Sequence, residues 1–255
     1  MNFLPDLRWG ILVGYGPLFV QGLLMTLQLT VVSITGGLLL GVVLGLVSST
    51  VDSPPPRSSL AALAWQLLRG ITRAYVGFFR GTPLFVQILL IHFAVMPLFI
   101  HPVNGLIVSG DLARTLKQEH GALISGVVAL TLNSAAYISE VFRAGIQSIS
   151  RGQFDAGRSL GLRPIQVMRY VVLPQAFRRM LPPLGNNAIA LLKDTSLVSA
   201  IGLAEMAYAA RTVAGAYSRY WEPYLAISVV YWIMTLALTT GLRRLEHHLH
   251  RSERA

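Results

Sequence analysis

Residues Pro223 to Leu242 read PYLAISVVYWIMTLALTTGL, twenty positions without one charged side chain. A helix rises about 1.5 Å per residue, so a run of this length covers a hydrocarbon layer about 30 Å thick. Inside lipid every backbone N–H and C=O must be bonded within the protein, and a single apolar run achieves this only as a helix. The rest of the chain agrees. Hydrophobic residues make up 53% of the 255 and charged residues 13%, about half of the roughly 25% usual in soluble domains. The expected fold class is an all-α integral membrane protein of about five transmembrane helices, with the lipid bilayer as an obligatory partner.

The charge is lopsided, with 21 Lys and Arg against 11 Asp and Glu. A basic excess can signal nucleic acid, but so much continuous apolar sequence leaves no room for such a surface, and no nucleic-acid partner is expected. Basic loops against anionic headgroups, or held on the cytoplasmic side, fit better. Cysteine is absent, which excludes disulfides, thiolate catalysis and Cys-ligated metals. Asp6 and Arg8 precede an uncharged run from Gly10 to Val51. That is far longer than the apolar part of a signal peptide, so mature structure is expected there.

Working outward from the last span, four more are expected. Pro17 to Ser49 is long enough to cross with tilt, and Gly37, Gly41 and Gly45 put three small residues on one stripe, a surface for close helix packing. Asp52-Ser53-Pro54-Pro55-Pro56-Arg57 then breaks the helix, since proline neither continues a helix nor tolerates a helical residue before it. Leu60 to Arg80 is amphipathic, with Gln66, Arg69, Arg73 and Arg80 within about 60° of one another at 100° per residue, as in a helix at the cytoplasmic headgroups. A span from Thr82 to Phe99 follows the bend Gly81-Thr82-Pro83, and a charged loop, Asp111 to Glu119, precedes a span over Gly121 to Ile146. Met180 to Leu192 is too short to cross alone, so a discontinuous span over 180–203 is expected, of the kind that borders cavities in transporters. With the N-terminus outside, the inner segments 51–80, 143–179 and 243–255 hold 4, 7 and 4 of the Lys and Arg, and the outer segments 1–16, 101–120 and 193–221 hold 1, 2 and 3. The positive-inside bias therefore places the N-terminus outside and the C-terminus in the cytoplasm.

The stretch Ser150 to Pro174, SRGQFDAGRSLGLRPIQVMRYVVLP, reads as two short helices joined by a tight turn. Ser150 and Gln153 have capping-box spacing, Gly161 sits where a left-handed residue would end the first helix, and Pro164 suits the first turn of the second. Four arginines, Arg151, Arg158, Arg163 and Arg169, agree with a cytoplasmic position. Periodicity alone does not decide between a mechanical lever and a hairpin that merely links spans.

Asp155-Ala156-Gly157, Gly161 six positions after Asp155, and Val171-x-Leu173-Pro174 resemble the EAA loop of ATP-binding-cassette importer permeases. That pattern reads Glu-Ala-Ala, three residues, Gly, nine residues, Ile-x-Leu-Pro. The spacing matches throughout, with Asp for Glu, Gly for the second Ala and Val for Ile. Gly157 lowers helix propensity by up to about 1 kcal/mol relative to Ala. Arg80-Gly81-Thr82-Pro83-Leu84, Asn133-Ser134-Ala135-Ala136-Tyr137, Glu140 to Ile146, Gly185-Asn186-Asn187 and Leu192 to Leu197 each resemble the polar amino-acid permeases of that superfamily. The resemblance covers roughly Pro17 to Leu242 and is densest from Asn133 to Glu205.

The resemblance implies a multi-pass permease of the bacterial inner (plasma) membrane. Its coupling helix, Gly152 to Leu160, would dock in a groove on a cytoplasmic ATPase dimer. In that contact Asp155 would pair with a basic residue and Ala156 and Gly157 would keep the face small, with Leu160 and Gly161 also belonging to the coupling loop. It further implies a second permease copy, identical or paralogous, and an extracytoplasmic amino-acid-binding protein. No phosphate-binding Gly-x-x-x-x-Gly-Lys-Ser/Thr occurs, and neither Lys117 nor Lys193 follows a glycine. No cofactor is therefore expected in this chain, and ATP and Mg are expected in the partner ATPase.

Polar groups at membrane depth are expensive and so mark a substrate pathway. The candidates are Asn133, Ser134, Asn187, Lys193, Asp194 and Thr195, with Lys193 and Asp194 facing an amino acid's carboxylate and ammonium, or else satisfying each other. In the resembling permeases the position of Asn187 often holds glutamate, and its neutrality here points toward neutral or acidic amino acids. Glu140 and Arg143 read as a structural ion pair, Trp65, Trp221 and Trp232 as interfacial aromatics, and His92 and His101 as isolated. His247, His248 and His250 read as a solvated tail rather than a metal site. Two other classes stand beside the importer. An ion-coupled secondary transporter would show internal repeats, and none is visible. A membrane-embedded enzyme would need a converging nucleophile, base or metal set, and no motif supplies one.

Overall fold

The structure, a computed structural model, describes residues 7–49 and 58–251. The proline-rich break at 52–57 and Asp6 lie outside the described residues, as do the side chains of His248 and His250. After a short helical turn, Gly10–Val13, the chain forms α1 (Gly16–Ser49), α2 (Ser59–Gly81), α3 (Leu84–Phe99), α4 (Gly110–Gln147), α5 (Arg151–Ser159), α6 (Pro164–Val167), α7 (Leu173–Asp194), α8 (Met206–Tyr217) and α9 (Trp221–Arg251). Among the described residues there is no strand, only an isolated bridge of Ile100 to Val108.

Among the described residues three helices are long and apolar enough to cross a membrane: Gly16–Ser49, Gly110–Gln147 and Trp221–His247. Leu60–Gly81 and Leu84–Phe99 meet that test as a pair, broken at Thr82-Pro83, where Pro83 is extended. Several expected boundaries move. The stretch Asp111 to Glu119, expected as a loop, is helical, because α4 starts at Gly110 and passes through one wide turn, Leu116–His120. α7 begins at Leu173 rather than near Met180 and carries Pro182 and Pro183 inside it. Beyond Asp194 it narrows into a tight 3₁₀ segment, Thr195–Ile201, ended by Gly202 at φ +88°. α9 runs past Leu242 to Arg251, since arginine and leucine are good helix formers and nothing there stops it. α8 lies within 193–221, the segment the charge bias assigns to the outer side.

The chain falls into two compact units. The first comprises Met1–Thr35, Thr82–Thr131 and Ile189–Leu238. Its core includes Met206, Ala210 and Ile227, packed by Phe19, Leu23 and Tyr231. The second comprises Gly36–Gly81, Leu132–Ala188 and Thr239–Ala255. Its three segments hold the same 4, 7 and 4 Lys and Arg that the charge bias places on one side of the membrane.

In the second unit the glycine stripe of α1 meets α4. A Cβ added at Gly37 would lie 2.8 Å from Ser134 Oγ, one at Gly41 2.7 Å from Ile138, and one at Gly45 2.6 Å from Phe142. Positions 134, 138 and 142 recur every four residues, so two matching stripes face each other, as small-residue packing requires. α2 is tied to the same part of α4: Tyr75 Oη donates to the Leu132 carbonyl at 2.6 Å, and Asn133 Nδ2 donates to the Phe79 carbonyl at 3.2 Å. Its leucine stripe, Leu63, Leu67 and Ile71, is exposed, as suits a face against lipid.

The stripe yields a direct test. Gly41→Val would push a stiff branched side chain into Ile138 and the Ala135 carbonyl, an overpacking cost of about 1–3 kcal/mol. Gly70, on α2, has nothing within 4 Å of an added Cβ, and Gly70→Ala gains roughly 0.5–1 kcal/mol of helix propensity. Thermal unfolding in detergent is expected to show a lower midpoint for Gly41→Val and an unchanged or higher one for Gly70→Ala.

Candidate functional site

The stretch 150–174 folds as a helical hairpin with a stiff corner. Ser150 is extended just before α5, so the helix starts where expected, but not by a capping box. Ser150 makes no side-chain cap, and Gln153 Oε1 instead accepts from Gln175 Nε2 at 3.1 Å. At the other end, Leu162 N–H donates to the Gly157 carbonyl at 3.2 Å and Gly161 N–H to the Arg158 carbonyl at 2.9 Å. This is the Schellman pattern, and it needs a left-handed residue at Gly161, whose φ is +78°. Pro164 opens α6, where Arg163 N–H donates to Gln166 Oε1 at 2.8 Å.

The corner is clamped from inside. Gly157 is buried, and an added Cβ would lie 2.9 Å from Val167 Cγ2. The glycine in the expected Glu-Ala-Ala position therefore faces the hairpin's own second helix rather than keeping an outer face small. Val167 belongs to a core with Ile146, Ile149, Val172, Ala176 and Met180, which joins the ends of α4 and α7 to the hairpin. Gly152, Asp155, Ala156, Leu160 and Gly161 are exposed. Leu160 and Ile165 leave 81% and 76% of their surface uncovered, an apolar pair beside the Asp155 carboxylate.

The six expected pathway residues divide between the two units. In the second unit, Asn187 Nδ2 donates to Ser134 Oγ at 2.9 Å, across α7 and α4. Asn133 is taken up by the Phe79 carbonyl. Lys193, Asp194 and Thr195 fall in the first unit. Thr195 is buried and donates to the Leu192 carbonyl at 2.8 Å. Lys193 is exposed and Asp194 half-buried, and among the described residues no ion pair joins them. The pairing expected of Glu140 and Arg143 does form, bidentate at 2.7 and 3.2 Å. Arg143 also donates to Gln147 Oε1 at 2.8 Å. Arg80 joins Glu140 at 3.3 Å and lies over the Tyr137 ring. Two cavities open on this cluster, one of about 390 Å³ bordered by Arg73 and Gln147 and one of about 440 Å³ bordered by Tyr137 and Arg179.

One polar centre escaped the sequence reading. Glu205 is fully buried in the first unit; its Oε1 caps α8 by accepting from Tyr208 N–H at 2.9 Å, and its Oε2 accepts from Tyr231 Oη at 3.0 Å. The Glu205 backbone is also where Gly22 of α1 approaches, at 3.0 Å from an added Cβ. Glu205 three residues before an amide it can cap was the available signal; its partner Tyr231, in the last span, is not visible in sequence order.

The family described as the binding-protein-dependent transport system inner membrane component matches residues 37–251. The chain is 35% identical over 233 residues to the glutamine transport system permease protein GlnP of Escherichia coli (strain K12), covering 91% of this chain and 93% of that one. It is 37% identical over 232 residues to the glutamate/aspartate import permease protein GltK of Escherichia coli O157:H7, with the same coverage. It is 34% identical over 223 residues to the arginine transport system permease protein ArtQ of Bacillus subtilis, covering 88% of each. A solved amino acid ABC transporter, crystallised with histidines, superposes with a TM-score of 0.77 at 35% identity, covering 96% of this chain and 100% of that one. The MetNI methionine ABC transporter, in an inward-facing form, shares the fold at a TM-score of 0.69 and 20% identity, over 91% of this chain and 96% of that one. The chain belongs to this family of inner-membrane permease components.

The clamp at the hairpin corner sets a specific expectation. Gly157→Ala gains helix propensity of about 1 kcal/mol but drives a methyl into Val167, so it is expected to lower the melting temperature. In Val167→Ala the same Gly157→Ala change is expected to raise it. Equal effects of Gly157→Ala in both backgrounds, measured as a double-mutant cycle, would show that the contact is not the constraint.

Proposed function

We propose, from membership of that family as the premise, that this chain is the transmembrane permease subunit of an ATP-driven ABC importer for polar amino acids. The observation that carries the reading is the hairpin: a short helix ending in an exposed apolar tip, yet fixed to the ends of two long helices by one buried core. A helix presenting Leu160 and Ile165 beside Asp155 suits insertion into a groove on another protein, with Asp155 meeting a basic side chain there.

The partner is a cytoplasmic ABC ATPase dimer, which binds ATP and Mg. When the two ATPase subunits close, the hairpins of two permease copies are drawn together. Because each hairpin shares its core with α4 and α7, the push passes into those helices as a rigid movement and gives alternating access. Two copies are proposed because five spans enclose too narrow a path. The spans are 17–49, 82–99, 121–146, 180–203 and 223–242, with the N-terminus outside and the charge-rich segments in the cytoplasm. An extracytoplasmic binding protein delivers the amino acid.

Along the path, Asn187 offers a neutral amide held by Ser134, which supports a neutral or acidic side chain over a cationic one. The names of GlnP and GltK agree with such cargo, and that of ArtQ does not. Calorimetric titration of the binding protein encoded alongside this chain is expected to show a glutamine, glutamate or aspartate response. Binding confined to arginine, lysine and histidine would contradict the Asn187 argument.

The coupling claim is tested by co-purifying the tagged permease with its ATPase. Breaking a buried charge pair at such an interface costs at least about 2 kcal/mol, roughly 30-fold in affinity. Asp155→Arg is therefore expected to lose the ATPase while melting at the wild-type temperature, because Asp155 is exposed in the permease alone. Undiminished capture by Asp155→Arg and by Gly161→Pro together would refute the docking role.

A further inference from the structure

In the first unit, α3 and α4 enclose a cavity of about 230 Å³ that no part of the transport reading uses. Its walls include Phe93, Met96 and Leu116, with the pair His92 Nδ1 and Ser125 Oγ, 2.9 Å apart, on one side and Lys117 among its lining residues. Both wide turns of this unit border it. Ile91–Val95 supplies His92 and Phe93, and Leu116–His120 supplies Leu116 and Lys117. The first wide turn has a cause in the sequence. Pro97 lacks an N–H for the Phe93 carbonyl and its ring crowds that carbonyl, so the helix widens and Met96 N–H bonds back to the Ile91 carbonyl. Single wide turns of this kind recur at functional sites because they displace side chains and open the helix wall.

Volume and charge select the occupant. The space is below the roughly 300–1,000 Å³ of pockets for drug-sized ligands, so it takes part of a molecule, such as one chain. Of the acids of the same segment, Asp111 pairs with Arg114 at 3.3 Å, and Glu119 lies 3.9 Å from His120, an ion pair only when that histidine is protonated. Among the described residues Lys117 has no ion-pair partner, leaving a cation among apolar walls in a bilayer protein. We propose that this cavity seats one acyl chain of an acidic phospholipid, with the Lys117 ammonium on the lipid phosphate.

The test uses the complete permease–ATPase complex in nanodiscs and two photoactivatable probes with a diazirine on the acyl chain, phosphatidylglycerol and phosphatidylcholine. A cation beside an anionic headgroup is expected to favour the phosphatidylglycerol probe about fivefold at Phe93, Met96 and Leu116. Lys117→Gln, a surface change, is expected to abolish that preference. Gly121→Leu fills the cavity from a position where an added Cβ meets nothing closer than 3.8 Å, and is expected to reduce labelling by either probe. Equal labelling by the two probes in the wild type would overturn the acidic-lipid assignment. Labelling indifferent to Gly121→Leu, or absent because a second copy or another chain covers the cavity, would overturn the site itself. None of these results bears on ATPase capture by the hairpin.

Discussion

The close approach of α1 to α4 is the constraint on which the second unit is built. Three glycines at four-residue spacing remove every side chain that would hold the two backbones apart, and Ser134, Ile138 and Phe142 occupy the space. In water, burying apolar surface would drive such packing; in lipid that force is missing, and the fit of the two surfaces has to supply it. This is why glycine, a poor helix former, is tolerated inside a 34-residue helix. Once α4 is fixed against α1, its other faces hold the rest. Tyr75 and Asn133 bind it to α2, Ser134 binds it to Asn187 of α7, and Glu140 gathers Arg80 and Arg143.

This arrangement changes what the mid-span polar residues mean. Asn133 and Ser134 are costly at membrane depth, and each has its cost met by a neighbouring helix. They act first as ties between helices. A pathway role for Asn187 has to work through the amide while its nitrogen is held by Ser134, and that is what fixes the amide's orientation. The hairpin follows the same logic at the end of α4. It draws its rigidity from a left-handed glycine, a glycine–valine contact and a core shared with α7. A joint of this kind suits the lever proposed here, since a flexible link would absorb movement.

Much of this was legible in the residue order. Uncharged length revealed the span at Pro223 to Leu242, inside the helix Trp221–His247, and spacing revealed the glycine stripe and the corner at Gly161, because each depends on neighbours a few positions away. The charge count grouped the same three basic segments that fold together as the second unit. What stayed hidden depends on partners far along the chain. The Ser150–Gln153 spacing suggested a capping box, but Gln175, twenty-two residues on, takes the glutamine. Gly157 looked like a gap on an outer face until Val167 filled the inner one. The helix at Asp111 to Glu119 was obscured because charged residues that signal a loop also favour a helix once a long apolar segment continues it. Glu205 and Tyr231 are 26 positions apart, beyond any local pattern.

The proposed function is a division of labour, in which this chain moves the amino acid and a separate polypeptide supplies the energy through the hairpin. Uptake of labelled glutamine or glutamate, in cells that keep the permease and the binding protein but lack the cognate ATPase gene, tests it most directly. Uptake is predicted to fall to background and to return when the ATPase is supplied again. Concentrative uptake that persists in its absence would contradict the account, leaving a membrane protein of the same fold with a different source of drive.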